Sequence, residues 1–377
     1  MHGKGSVGKG LFLACPYPLS GVTGVGRFTR DLKQALETQG MTVVVTAPSR
    51  AESETGEAVY NFHLRWKVFP SIELALLTAY VALRRRREFQ VIHVHQIHLQ
   101  SLVTMMVGRV LGRRSVLTLH VRVPIAAGVL RKIGQRLIER GCFSFSSAPV
   151  AVSPFVASDY GGRSVTVIEN GVDTEHFRRT ETTRARMRSR LGIGAEMVFI
   201  FSSRWASGKG FDLVAEALAS RRLVNHSFRL VLLGDAAPDE LEELRVRLEN
   251  LPNQNRILSI GPVPDVADYL SASDVFILPS RYEGMPLALL EAMANELPVI
   301  LSDIPVHRLL VERAGAGWTF RSGDADDLAL KIANAVKDGL PPNWGLKLRQ
   351  SVLKHNRFAD TVQAYRSIYE RLARPAE

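Results

Sequence analysis

Two glutamates eight residues apart mark the segment LPSRYEGMPLALLEAMANELPVI (278–300). Glu283 lies in a loop after an apolar strand-like run, and Glu291 lies inside the helix that Pro286 opens at its first turn. Ionised carboxylates only accept hydrogen bonds, so one at the loop and one within the helix would suit the hydroxyls of a sugar and a ribose. A charge amid LALLEAMA is out of place as a mere solvating group. The alternative is a helix-dipole contact for Glu283 and a buried pairing for Glu291. Upstream, SSRWASGKGFDLVAEAL (202–218) places Arg204 at a strand end and Lys209 just before a helix. Two cations in one loop at the carboxyl edge of a parallel sheet would suit a diphosphate. By spacing alone they could equally be two solvated loop charges.

Other motifs carry less. GKGSVGKG (3–10) nearly spells a P-loop, but Gly10 follows Lys9 where a magnesium-binding Ser or Thr is needed, and the first strand comes afterwards. SGVTGVGRF (20–28) sits after the first strand and opens the first helix, where backbone N–H groups could approach an anion. It lacks the G-x-G-x-x-G order, which disfavours NAD, and a tight strand-to-helix turn explains its glycines as well. His93, His95 and His98 in VIHVHQIH invite a zinc reading, yet no cysteine or carboxylate ligand follows nearby and no metal is assigned. The Asp-rich GDADD (323–327) stands at a helix start, where an N-cap is expected.

The elements that position these residues follow from hydrophobic period. Short apolar runs (GLFLACP, MTVVVTAP, VIHVH, SVLTLH, PVAVS, VTVIENG) alternate with helical periods, and the pattern restarts with VFIFSS, RLVLLGD, ILSIG, DVFILPS and PVILSD. Such alternation predicts βαβ units and two doubly wound parallel sheets. A length of 377 residues also points to two domains. The charged, Arg-rich segment 174–197 carries no strand signal, so the hinge is placed at its start. The divisions are 1–175, 176–355 and a terminal helix, 356–377, whose Phe358, Val362, Tyr365, Ile368, Tyr369 and Leu372 share one apolar face.

Composition narrows the class. Hydrophobic residues at 46% and charged residues at 23% exclude a disordered or collagen-like chain. Cys15 and Cys142, the only cysteines, make neither a disulfide framework nor a zinc site and fit a reducing cytosol. The apolar run after the basic opening stops at Pro16, too short for a secretion signal. The longest apolar stretch, residues 68–83, contains Glu73 and falls short of a membrane span. Lys and Arg outnumber Asp and Glu by 22 to 12 over residues 1–178 but only by 26 to 25 over the rest. The first domain is therefore basic, through Arg84 to Arg87, Arg113, Arg114, Arg131, Lys132, Arg136 and Arg140. That surface would suit phosphates, nucleic acid or an anionic membrane, or simply solvent.

Taken together, EGMPLALLEAMA followed by PVI, SSR...GKG ahead of it, ASDVFILPS between, VIENGVDTEHF at the hinge and TGVGRFTRDL near the start resemble the retaining glycosyltransferases of family 4, over nearly the whole chain. The resemblance implies the GT-B fold, α/β, with two Rossmann-like domains facing a central cleft and a C-terminal helix crossing back to the first. It implies transfer of a sugar from a UDP- or GDP-linked donor to a saccharide or lipid-linked acceptor, with Arg204 and Lys209 clamping the diphosphate. Glu283 would then bind the transferred sugar, Glu291 the ribose, and the backbone of Gly284, Met285, Pro286 and Leu287, through the N–H groups of Gly284, Met285 and Leu287, would face sugar and phosphates. Gly24 would approach the donor from the first domain, His120 would stand by sugar and diphosphate, and main chain near Pro262 and Val263 would contact the base. Three departures are visible: Thr23-Gly24 replaces a pair of glycines, Glu296 stands where glycine is usual, and the loop after RLVLLGD lacks a second glycine.

No cofactor or metal is expected, because two fixed cations and helix N-termini can stabilise a departing diphosphate. No nucleic-acid partner is expected either. The enzyme is expected in the cytoplasm, with an anionic membrane as a further partner through the apolar helix around 71–87 (Leu74, Leu77, Val81, with Pro70 and Ile72) and Arg84 to Arg87. The rivals are another GT-B enzyme such as a nucleotide-sugar epimerase, and a non-catalytic basic binding protein, which would leave Arg204, Lys209, Glu283 and Glu291 without a reason.

Overall fold

The computed structural model describes residues 10–19, 23–48, 59–62, 70–122, 128–236, 246, 248, 249, 251 and 254–374. The P-loop-like run at 3–9, the start of SGVTGVGRF and most of the helix expected from DELEELRVRLENL lie outside them. Two compact units divide after Glu169 and again after Ala359, so that the terminal segment from Asp360 belongs to the first unit.

The first unit is built on a seven-stranded parallel sheet. Its strands are β1 (Gly10–Ala14), β2 (Thr42–Pro48), β3 (Val59–Phe62), β4 (Val91–His95), β5 (Arg114–Leu119), β6 (Ala148–Ala151) and β7 (Thr166–Val167), in the order β3-β2-β1-β4-β5-β6-β7. Strands β1, β4 and β5 are buried almost throughout, which explains why they read as continuous apolar runs. Right-handed crossovers place the helix Gly24–Thr38, which links β1 to β2, on one face. The helices Pro70–Arg84, Leu99–Val110 and Val129–Phe145 link strands in the opposite direction and form a layer on the other face, each packed on the next.

Gly26, rather than Gly24, is the glycine this turn requires: a Cβ there would lie 1.9 Å from the Pro18 carbonyl oxygen. Thr23 caps the helix by accepting from the Gly26 N–H. The terminal helix, Phe358–Ala373, buries Val362, Tyr365, Ile368, Tyr369 and Leu372 as its spacing predicted, while Phe358 is half-buried.

Leu74 and Val81 of the helix Pro70–Arg84, expected on a lipid-facing side, are buried, and Leu77 is half-buried; Ile72, Leu76, Tyr80 and Leu83 point outward. The helix is apolar on both sides, so its period does not say which side meets the sheet.

The second unit repeats the architecture with β8 (Met197–Ser202), β9 (Phe228–Leu233), β10 (Ile257–Gly261), β11 (Val275–Leu278), β12 (Val299–Ser302) and β13 (Trp318–Phe320), ordered β10-β9-β8-β11-β12-β13 and parallel throughout. Its core gathers Phe199, Phe201, Trp205, Phe211, Leu230 and Leu232 around β8 and β9. The Arg-rich segment folds into a helix, Glu181–Arg190, in which Arg184 and Arg188 share Asp274 at 2.5 and 3.2 Å. Glu296, at the position where the resembled family carries glycine, adopts φ +62°, the left-handed region that glycine fills without strain. Its carboxylate lies 3.8 Å from Arg349, an attraction that offsets part of that cost.

Candidate active site

Strand order reverses between β8 and β11, and ligands of open parallel sheets bind outside the carboxyl ends of the strands at such a reversal. The loop after β8 carries Arg204 and Lys209, and the loop after β11 carries Glu283. Neighbouring strands therefore bring together residues 74 positions apart in sequence: Lys209 Nζ donates to Glu283 Oε1 at 2.7 Å. Ser280 Oγ donates to the same oxygen at 2.8 Å. An ammonium has three donors, so Lys209 can keep this contact and still meet a phosphate. Arg204 is exposed in the same loop as Lys209.

The loops are held in register from several sides. Gly210, at φ +72°, ends the short turn Ser207–Lys209 and opens the helix Phe211–Leu218; a Cβ there would sit 2.1 Å from the Pro279 carbonyl oxygen. Trp205 stacks on Phe211 with centroids 4.9 Å apart, anchoring the loop between its two cations. Arg281 donates its backbone N–H to the Gly208 carbonyl and forks onto both oxygens of Asp212, at 2.8 and 2.7 Å. Burial alone would raise the Asp212 carboxyl, but that fork outweighs it and leaves Asp212 below its ordinary value.

Gly284, Met285 and Pro286 are buried ahead of the helix Leu287–Ala294, with Leu287 half-buried at its start. Their chain is fixed by Asn170, from the ENG motif, whose Nδ2 donates to the Met285 carbonyl at 2.8 Å. The first N–H groups of a helix have no partner inside it, so this end favours negative charge. Glu291 lies one turn further in and is 1% exposed. Val263 is half-buried in the loop after β10, on the same carboxyl side of the sheet.

Sequence reasoning missed a buried chain behind Glu283. Ser302 Oγ donates to the Ser280 carbonyl at 2.5 Å and lies 3.2 Å from His307 Nδ1, which is also 3.0 Å from the Ser302 carbonyl. Burial lowers the His307 pKa to about 4, against the pull of Glu283. A lone histidine in DIPVHRLL gives no signal of this. The Asp-rich GDADD does cap a helix: Asp324 accepts from the Asp327 N–H at 2.9 Å.

In the first unit, His120 closes β5 beside the corresponding strand reversal at β1 and β4. His95 Nδ1 lies 3.0 Å from His120 Nε2, and His93 lies between Tyr369 Oη at 2.8 Å and Thr118 Oγ1 at 2.7 Å. Burial brings His93 and His120 down to about 3 and His95 well below its ordinary value, so the three imidazoles are neutral. Gln96 holds the group: it takes φ +66°, accepts from the His120 N–H at 2.9 Å and donates to the Val121 carbonyl at 2.5 Å. His98 stands apart at the start of the helix Leu99–Val110, and among the described residues no three potential ligands converge on a metal site. Gly24 is exposed at the first helical position. A cavity of about 210 Å³ near the carboxyl ends of β4, β5 and β6 is lined by Arg122, Lys132 and Arg136, by the carboxylates Glu139 and Asp159, and by Tyr160 among others. A larger one, of about 350 Å³, lies at the amino end of β8 and β9, away from the residues that could do chemistry.

Residues 183–354 match the family model for group 1 glycosyl transferases, and residues 22–176 match that for glycosyltransferase family 4. An N-acetyl-alpha-D-glucosaminyl L-malate synthase of Bacillus anthracis is 26% identical over 310 residues, 80% of this chain and 80% of that protein. A UDP-Gal:alpha-D-GlcNAc-diphosphoundecaprenol alpha-1,3-galactosyltransferase of Escherichia coli is 28% identical over 210 residues, 54% of each. The chain is a glycosyltransferase of hexosyl-transferring type. The fold agrees: HepE of Anabaena, solved with UDP, superposes with a TM-score of 0.76 over 96% of this glycosyltransferase and all of that chain, at 18% identity. The two Rossmann-like sheets are those of the GT-B class.

Proposed function

We propose that this glycosyltransferase moves a sugar, with retention of anomeric configuration and without a metal, from a UDP- or GDP-linked donor to a saccharide or lipid-linked acceptor. The observation that carries the reading is the meeting of Lys209 and Glu283 at the strand reversal of the second sheet, beside Arg204 and the helix N-terminus at Leu287. Arg204 and Lys209 neutralise the leaving diphosphate, helped by the N–H groups of Gly284, Met285 and Leu287 around Pro286. Such preorganised charge lowers the barrier where negative charge develops, and it replaces a divalent ion in that role. Glu283, kept in place by Lys209 and Ser280, accepts from sugar hydroxyls, while Glu291 accepts from the ribose. Main chain near Val263 meets the base.

The first domain, up to the hinge, binds the acceptor, with His120 and Gly24 completing the donor side. The cavity at Arg122, Lys132 and Arg136, whose cations outnumber the carboxylates Glu139 and Asp159 beside them, supports an acceptor that carries anionic groups, such as a lipid-linked diphosphate. A relative named for UDP-Gal transfer to a diphosphoundecaprenol-linked sugar, and a fold neighbour solved with UDP, support this reading. We place the enzyme in the cytoplasm, at the inner face of the membrane.

The division between the glutamates tests it. Calorimetry with the bare nucleoside diphosphate should find binding weakened about tenfold or more by Glu291→Ala, the scale of a lost charged hydrogen bond, and little changed by Glu283→Ala. Glu283→Ala should instead slow sugar transfer from the donor panel. Equal loss of nucleotide affinity in both variants, or transfer that stops on chelation, would overturn the assignment.

A further inference from the structure

We propose that the outer face of the helical layer on the first sheet is a docking surface for an anionic lipid bilayer. This deepens the membrane-side placement above by naming the residues that make the contact. The helix Pro70–Arg84 turns Leu74, Ala75, Thr78 and Val81 toward the sheet, yet its opposite side is apolar as well: Leu76 is 55% and Tyr80 59% exposed, with Ile72 and Leu83 on the same stripe. A helix with one side in water normally carries polar residues there. The helix Val129–Phe145 repeats the pattern at positions four apart, Val129, Ile133 and Leu137, the last 60% exposed. Between them the helix Leu99–Val110 exposes Met106 and Val110. Three neighbouring helices thus leave apolar side chains uncovered on one side of one sheet.

The charge around them selects the partner. Arg84, Arg86 and Arg87 follow the first stripe, Arg109 lies on the middle helix, and Arg131, Lys132, Arg136 and Arg140 flank the second stripe; all eight are exposed. Within the three helices the only carboxylates are Glu73, which is buried, and Glu139, which lies 3.7 Å from Arg163. Apolar side chains framed by cations with no exposed acid among them match the interface of an anionic bilayer, where acyl chains meet the apolar stripe and headgroups meet the arginines. A second copy fits poorly, because a two-fold interface would set cation against cation. Nucleic acid would use the arginines but leave the stripes uncovered.

The test is co-sedimentation of the full chain with vesicles of phosphatidylglycerol and phosphatidylcholine, and of phosphatidylcholine alone, at low and high salt. Binding to the mixed vesicles that fades with salt is expected. Replacing Arg84, Arg86 and Arg87 together by Gln should weaken it on the order of 100-fold, at about fivefold for each basic residue near such a surface. Replacing Leu76, Tyr80, Ile133 and Leu137 by Ser should weaken it on the order of tenfold or more. All seven side chains are exposed, so the fold should hold. Nucleotide calorimetry on the same variants should be unchanged, and it reports on the donor site whether or not lipid binds. No sedimentation with mixed vesicles at low salt, binding indifferent to both sets of substitutions, or a dimer that those substitutions dissolve would each overturn the proposal.

Discussion

The two sheets reverse strand order in the same way, at β1/β4 and at β8/β11, but the side chains beside the reversals are furnished differently. Next to the second reversal the groups stay charged and partly open: Lys209 faces Glu283, and Arg281 grips Asp212. Beside the first, His93 and His95 are sealed among Phe28, Tyr365 and Tyr369, His120 keeps only a small exposed edge, and all three are held neutral. The rim proposed to meet a diphosphate keeps its cations where an anion could reach them. Groups buried against the returning helix must lose their charge cheaply, and imidazole does so near neutral pH.

The largest effect should come from Lys209→Ala, which removes the charge on which that contrast turns. Transfer should fall by about 10² to 10³, the scale for loss of one preorganised charge-stabilising group. Ser280 still donates to Glu283, so the thermal midpoint should scarcely move. Normal turnover in single-turnover assays would mean that the second rim's charge has no part in the reaction.

Acid should act on the first rim before the second. The folded histidines there sit below the unfolded value of about 6.5, so the unfolded chain takes up protons first as pH falls. Stability is therefore full above about pH 6.5 and is lost progressively toward pH 3, at up to about 1.4 kcal/mol per pH unit for each such histidine. The second unit has a counterpart in His307, lowered to about 4. Amide exchange should lose protection in β4 and β5 at a higher pH than in β8 and β11, and His120→Gln should flatten the slope in the first unit. Simultaneous loss in both sheets would break the comparison.

The smallest effect should follow Arg281→Gln. The Arg281–Asp212 pair is a third or so exposed, so its loss should cost less than about 1 kcal/mol in denaturant unfolding. Nucleotide affinity should stay within about twofold, because the backbone bond from Arg281 to Gly208 survives. A loss of transfer as deep as that of Lys209→Ala would show that rim geometry, rather than charge at Lys209, is what matters.

Much of this was written locally. Alternating apolar runs and helical periods determined two parallel sheets, because strands buried on both faces and their crossover helices each carry their own period. The spacing within SSRWASGKG and EGMPLALLE placed Arg204 and Glu283 after strand ends, Lys209 just before a helix and Glu291 inside one, where the structure has them. GDADD announced its cap in the same local way.

Only the tertiary structure decided the rest, since it depends on what meets across distance. Lys209 finds Glu283, and His93 finds Tyr369, 276 residues away, because strand order and the returning helix bring them together. Gln96 and Glu296 take left-handed conformations that residue type would not suggest; packing around them fixes the backbone. The outward stripe of Leu76 and Tyr80 was hidden for a related reason. A helix that is apolar all round satisfies its period either way up, and only contact with the sheet chooses which side is left to the surroundings.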